Sequence, residues 1–428
     1  MFSKKFLSDC KYLLLLWSTQ ALSQLGSSMT GFALVLWSYS QYGSALTTAL
    51  LTVCSYAPYV AVSIFAGALS DRWDKKRTML ACDALAALCT LGVLGLWRWG
   101  GLRVWHLYLV NALNGLMNTV QQPASDVAVS LLTPREHYQR VGGLRAFSHS
   151  LVSLLAPVCA AALYGLGGLG AVIALDLSTF VLAAACLLVF IPIPRREAPG
   201  GEAEPVLRAA GSGLRYLWEH RGVLDIILFL AVINLTASMF QAALPALIIP
   251  KAGERALGLV EGCAGAAGLL GGLLAAALPE PKSRVRVICD SLLFSMSTEN
   301  FILALGGGVP AWCVGAVLGW VFIPVMNANL DALLRLHIPV EMQGRVYSAR
   351  NALQFFTSPV GYLLGGALVD RVFEPFMAAQ SPGGTLCTLF GTGKGAGAAL
   401  FFLVIGAFGA LSCLPARWDR HIWALEKE

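Results

Sequence analysis

Apolar runs of about 20 residues recur along nearly the whole chain, and they restrict its possible folds more than any other feature. At 1.5 Å rise per residue, such a run covers a hydrocarbon core about 30 Å thick. Twelve can be traced, at 12–37, 45–69, 78–98, 104–122, 146–166, 170–191, 223–248, 256–278, 286–306, 309–327, 347–369 and 396–415. The 428 residues are 57% hydrophobic and only 13% charged, a composition that ordinary soluble domains cannot hide from water. Backbone N–H and C=O groups in lipid must be satisfied within the segment, and no run shows the period-two alternation of a barrel strand. The fold class expected is therefore an all-α integral membrane protein with twelve transmembrane helices.

The basic residues orient the bundle. With both termini in the cytoplasm, the outer side carries six Lys/Arg: Arg98, Arg103, Lys251, Arg255, Arg371 and Lys394. The other 24 of the 30 then fall on the inner side, which is the positive-inside asymmetry. The net charge of +6 is thus topological and calls for no nucleic-acid partner. The amino-terminal "MFSKKFLSDCKYLLLLW" starts with charge like a signal peptide, but its apolar run continues past Leu36 without a small-residue cleavage site, so it reads as a retained first span. Eleven cysteines at irregular spacing include no C-x-x-C pair, which suggests neither zinc nor a disulfide framework.

The chain also repeats itself. Asp126, Pro134, Arg140 and Val141 recur as Asp331, Pro339, Arg345 and Val346, each displaced by 205 residues (331 − 126, 345 − 140). Arg77 and Asp83 recur as Arg284 and Asp290, displaced by 207 (290 − 83). Residues 1–190 and 223–428 are accordingly expected to form two pseudo-symmetric six-helix halves, with 191–222 as a cytoplasmic linker. The Pro- and Gly-rich start of that linker should be flexible, and Val206 to His220 has the pattern of an amphipathic helix lying on the membrane surface.

One charged island stands out, "GALSDRWDKKRTMLACD" between the second and third spans. Its Gly67-x-x-x-Asp71-Arg72-x-x-Lys75-Lys76 pattern resembles the G-x-x-x-D-R-x-G-R-R signature of the major facilitator superfamily, with Asp74 where a glycine is usual. The "DRWD" form, with "QQPASDVAVSLLTPREHYQRVGGL" and "GRVYSARNALQFFTSPVGYLLGGALVDRVFEPFM", is similar to the macrolide-efflux-like branch of drug:proton antiporters, related to siderophore exporters. The resemblance implies a major facilitator fold and a cytoplasmic gate made by Gly67, Asp71, Arg72 and Lys75, with Asp71 facing the amino-terminal end of a helix near Val346 to Asn351. The duplicated Arg140 and Arg345 are further gate candidates or headgroup anchors. Lys76 and Arg77 read equally well as gate or as positive-inside anchors, and Asp126 and Asp331 as braces of their loops.

In that fold the first, fourth, seventh and tenth spans line the substrate cavity. The amides there are Gln20 and Gln24, then Asn111, Asn114 and Asn118 on one helical face, then Asn234 and Gln241. Unpaired amides in lipid are costly, so they must face protein or water. Coupling candidates are the ionisable residues deep within spans, Asp176, Glu261 and Glu299, whereas Asp83, Asp225 and Asp290 lie near cytoplasmic ends and read as structural. No acid occupies the first or fourth span, and Ala156 precedes Pro157 where the branch usually has glycine.

The function expected is export of a small amphipathic molecule, a macrolide-like drug or other natural product, by proton antiport with alternating access. A siderophore or peptide natural-product exporter, and a non-transporting receptor or scaffold, are the alternatives. No cofactor is expected beyond the proton gradient. "GTGKGAG" lacks the first glycine and the Ser/Thr of a nucleotide loop, and no H-E-x-x-H or Ser/His/Asp arrangement points to an enzyme. The expected setting is the bacterial inner membrane, with the bilayer and a small-molecule substrate as partners and the chain acting as a monomer.

Overall fold

The computed structural model describes residues 10–134, 137–193 and 206–426, with no description of the side chains at 59–61, 63–72, 138–140, 206–210, 340–341, 343–344 and 348. Among the described residues there are helices and no strands. In chain order they are α1 (Lys11–Tyr42), α2 (Ala45–Arg72), α3 (Lys75–Arg98), α4 (Val104–Leu132), α5 (Tyr138–Phe190), α6 (Val206–Glu219), α7 (Arg221–Ala252), α8 (Glu254–Ala277) and α9 (Arg284–Leu305). After these come α10 (Val309–Trp320), α11 (Ile323–His337), α12 (Val340–Phe355), α13 (Thr357–Leu368), a π-turn (Val369–Phe373), α14 (Glu374–Ala378), α15 (Thr385–Phe390), α16 (Ala396–Trp418) and α17 (Arg420–Ala424).

Glycine and proline cut the expected spans in three places. The fifth and sixth form the one long run α5, broken at Gly168, whose φ of 65° and ψ of −166° suit a residue without Cβ. The tenth becomes α10 and α11, because Pro324 in the first turn of α11 brings no N–H for a helix continuing through it. The eleventh divides at Phe356, where Pro359 withholds the N–H that would bond the carbonyl of Phe355, and it later loosens into the π-turn. Eight helical runs of the described residues are long and apolar enough to cross a bilayer, Val141–Phe190 being long enough for two passes. The helices α1 and α4 fall outside that set, and α2 enters only as the shorter apolar stretch Ala45–Pro58.

The chain divides into two compact units, one of residues 1–37 and 54–203, the other of 38–53 and 204–428. In the first, Leu16 of α1, Met79 of α3, Ala124 and Ala128 of α4, and Leu187 and Ile191 at the end of α5 gather four helices into one buried patch. Small residues allow the closest approaches. A Cβ on Gly115 would stand 2.0 Å from the Ser55 carbonyl oxygen of α2, and one on Gly26 would meet Thr179 and Asp176 of α5.

The second unit has a larger core, running from Leu217 of α6 through α7, α9 and α11 to Cys413 of α16 and Ile422 of α17. It also includes Ser38–Val53, the junction of α1 and α2, so the compact bodies do not part at the linker alone. Asp370 of the π-turn fixes this junction: its carboxylate accepts from Ser44 Oγ at 2.6 Å and from the backbone N–H groups of Ala45 and Leu46 at 3.0 and 2.9 Å. Those N–H groups open α2, where an anion is favoured.

The amphipathic helix forms as α6, but its apolar face meets protein. Leu217 is fully buried, Gly213 abuts the Arg345 carbonyl of α12, and Tyr216 donates to the His337 carbonyl at 2.7 Å. Burial pushes the Tyr216 phenol up, which keeps it a donor. Leu214 and Trp218 remain exposed on the other side.

Candidate functional site

Within the first unit lies a cavity of about 540 Å³, walled by α1, α3, α4 and the start of α5. From α1 it takes Trp17, Gln20, Ser23, Gln24, Ser27 and Ser28. Asp83 comes from α3, Asn118, Gln121, Gln122 and Ser125 from α4, and Arg145, Ser148 and His149 from α5. Helical spacing puts these groups on single faces: Gln20, Ser23, Gln24, Ser27 and Ser28 step by three or four along α1, and Asn118, Gln121, Gln122 and Ser125 do so along α4.

Asp83 is the carboxyl on the cavity wall. Its Oδ1 accepts from Gln121 Nε2 at 2.5 Å, and Gln20 faces the same carboxylate. Trp17 Nε1 on the same wall is shut from solvent and completes no hydrogen bond. A buried N–H without a partner is a donor that a bound acceptor would satisfy. Arg145, the strong cation of the cavity, is ion-paired with Asp126.

Of the seven amides expected at a cavity, Gln20, Gln24 and Asn118 line this one. Asn111 instead turns back on its own helix, donating to the Leu107 carbonyl at 2.9 Å, and Asn114 Oδ1 is buried without a partner. In the second unit Asn234 donates to the Gln354 carbonyl at 3.3 Å, joining α7 to α12, while Gln241 is partly buried on α7. Asp83, Gln121, Gln122, Ser125 and Arg145 were not singled out for the cavity from sequence, although Gln121 and Ser125 extend the Asn111–Asn114–Asn118 face of α4 at the same spacing. Arg145 carried its own signal, because Arg350 stands 205 residues later (350 − 145), the offset of the duplication.

That offset is built into the structure as an ion pair. Asp126 bonds Arg145 between α4 and α5, and Asp331 of α11 bonds Arg350 of α12 at 3.4 Å. The brace expected at these two aspartates therefore has a named cation in each half. The other duplicated pair has diverged: Asp290 is ion-paired with Arg417 of α16, whereas among the described residues Asp83 is met by amides.

The side chains of Gly67, Asp71, Arg72 and Arg140 lie outside the described residues. Around them, Asp74 caps α3, its carboxylate accepting from the Arg77 N–H at 3.0 Å. Lys75 is partly buried. Lys76 Nζ donates to the Leu188 and Ile191 carbonyls at 3.0 and 2.9 Å, closing the carboxyl-terminal end of α5. Arg345 reaches Ser212 of α6 at 3.5 Å.

The three deep carboxyls part company. Asp176, 5% exposed, accepts from Ser27 Oγ at 3.1 Å and packs beside Gly26, so it ties α5 to α1. Glu299 of α9, also 5% exposed, accepts from Trp320 Nε1 at 3.2 Å and presses on Gly319 of α10. Glu261 of α8 lies within electrostatic range of Glu299. The second unit thus holds two carboxyls inside its helices, one on α8 and one on α9.

A helical membrane protein with an internal repeat and a polar cavity among its helices has the architecture of many secondary transporters. The profile of the Major Facilitator Superfamily matches residues 16–361, and the chain belongs to that family. It is 23% identical over 365 residues to macrolide efflux protein A of Streptococcus pyogenes, covering 83% of this chain and 89% of that one. It is 24% identical over 341 residues to the multidrug efflux pump Tap of Mycolicibacterium fortuitum, covering 76% and 81%. Among solved structures it is similar to the nucleoside transporter NupG, with a TM-score of 0.70 at 12% identity, covering 94% of this chain and 99% of that one. A bacterial homologue of the iron transporter ferroportin gives 0.68 at 15% identity, covering 96% and 99%. The protein is a multi-pass membrane transporter whose relatives are named for efflux of macrolides and other drugs.

Proposed function

We propose that this transporter exports a small amphipathic molecule, macrolide-like or another natural product, in exchange for protons. The observation that carries the reading is the cavity of about 540 Å³, within the range of drug-sized ligand sites, with Trp17 and the leucines of α1 as apolar wall and amides for hydrogen bonding. The names of the efflux relatives support the direction. For coupling, Glu261 and Glu299 support a proton site, because ionisable side chains held deep within spans are functional candidates by default. Asp176 is the third candidate, and its hydroxyl and packing contacts suit a structural tie equally well.

On this reading both termini face the cytoplasm of a bacterial inner membrane, as the basic residues direct. The chain works as a monomer with no bound cofactor, and Gly67, Asp71, Arg72, Lys75, Arg140 and Arg345 belong to the inner gate. The test is transport by the full chain in sealed vesicles with an imposed pH gradient, beside growth of a pump-deficient host on erythromycin-like drugs. Gradient-driven accumulation and rescued growth are expected. Drug movement indifferent to the gradient would remove the antiport, and no movement of any drug would favour a receptor.

A further inference from the structure

We infer that Asp225, Asp419 and His421 form a binding site for a divalent first-row metal ion, of the Mn²⁺ to Zn²⁺ series, which clasps the carboxyl-terminal helix α17 to the start of α7. The site lies wholly within the second unit, goes beyond the export reading and does not depend on it. Each residue offers one ligand atom, a carboxylate oxygen or a ring nitrogen, and these atoms all fall within 4.8 Å of one another. His421 Nδ1 stands 2.9 Å from Asp225 Oδ2 and 3.8 Å from Asp419 Oδ1. Around an ion whose ligands lie about 2.1 Å away, adjacent ligands are about 3.0–3.4 Å apart and opposite ones about 4.2 Å. Small side-chain adjustments therefore separate the three from a coordination sphere.

Packing holds the ligands in place. Gly222 and Asp225 share a face of α7, and a Cβ on Gly222 would lie 2.5 Å from the His421 carbonyl oxygen, so α17 presses on the turn that carries Asp225. Asp419 is fixed as the N-cap of α17: its Oδ1 accepts from the N–H groups of His421 and Ile422 at 2.8 and 3.1 Å, which leaves Oδ2 for another partner. Two carboxylates held this close repel each other unless a cation lies between them. Among the described residues neither pairs with Lys or Arg, and the partner of both is one imidazole, which carries no fixed charge at neutral pH. Arg417 is committed to Asp290, and Arg221 lies over the Trp218 ring at 5.1 Å. His421 also lines a cleft of about 730 Å³ that gives an ion access from water. Two carboxylates with one imidazole suit Mn²⁺, Co²⁺ or Zn²⁺ better than Mg²⁺ or Ca²⁺, which favour oxygen alone. The ion takes the Nδ1 lone pair in place of the contact with Asp225, and the ring proton resides on Nε2.

The test titrates Co²⁺ into the full chain, purified in detergent without a polyhistidine tag and freed of metal by a chelator, with visible absorption and thermal unfolding as readouts. Binding should saturate at one ion per chain and raise the melting temperature, because the ion joins two elements that part on unfolding. The spectrum should lack the strong charge-transfer band that any of the eleven cysteines would give as a ligand. Asp225→Asn, Asp419→Asn and His421→Gln should each weaken binding roughly tenfold or more. Asparagine keeps the N-cap, so Asp419→Asn separates loss of the ion from loss of the fold. Glu280→Gln, on the wall of the same cleft, should bind as the parent does. Absorption that rises without saturating, a thiolate spectrum, or an affinity unchanged in all three variants overturns the site.

Discussion

Asp74 occupies a position where the superfamily signature usually has glycine, and its backbone shows why the exchange is free of strain. With φ of −65° and ψ of 116° it needs no left-handed conformation, and its carboxylate serves as the N-cap of α3. Removing the cap by Asp74→Ala should cost about 1 kcal/mol, and Asp74→Gly only a few tenths. Thermal unfolding of the three proteins in the same detergent checks the order Asp74, Gly, Ala; an alanine variant as stable as the parent would show the cap to be inert. Lys76 acts similarly at the other pole, since its ammonium satisfies two carbonyls left over at the end of α5. What reads in the sequence as a surface charge is here part of the helix joint.

Small residues and paired charges hold whole helices together. α6 is seated by Gly213, where a Cβ would lie 2.4 Å from the Arg345 carbonyl oxygen, whereas a Cβ on Gly211 would meet nothing within 4 Å. Gly213→Leu should therefore destabilise the second unit by about 1–3 kcal/mol through overpacking. Gly211→Ala should be neutral or stabilising by up to about 1 kcal/mol, because the open position gains helix propensity. Melting curves should fall for Gly213→Leu and stay or rise for Gly211→Ala, and a Gly213→Leu protein as stable as the parent would show α6 to be loosely held. The duplicated ion pairs are weaker devices. Arg350 is 15% exposed and Asp331 54%, so a double-mutant cycle on this pair should return a coupling below about 1 kcal/mol.

On the proposed antiport reading, the deep carboxyls carry different expectations. Glu299→Gln is expected to reduce pH-gradient-driven accumulation at least tenfold while drug binding to the purified chain persists, and Glu261→Gln to weaken it less. Asp176→Asn should lower thermal stability with much of the gradient response retained, because Ser27 and Gly26 contact Asp176 as a packing element. Flux measurements in vesicles, scored beside melting temperatures, separate the two kinds of loss. If both glutamine variants keep full gradient-driven transport, the pair does not couple.

Hydropathy, period and duplication determined by themselves that this chain is a helical membrane bundle with an internal repeat, because burial of apolar runs in lipid is a one-dimensional property. The amides of α1 and α4 were legible for the same reason: helical spacing fixes which side chains share a face. Which acid stands in the cavity was not legible. Asp83 and Asp290 occupy equivalent places in the repeat, and only the packing of α16 against α9 gives one of them Arg417 and leaves the other its amides. The charge state of a site depends on partners brought from distant parts of the chain, and those distances exist only once the helices have packed.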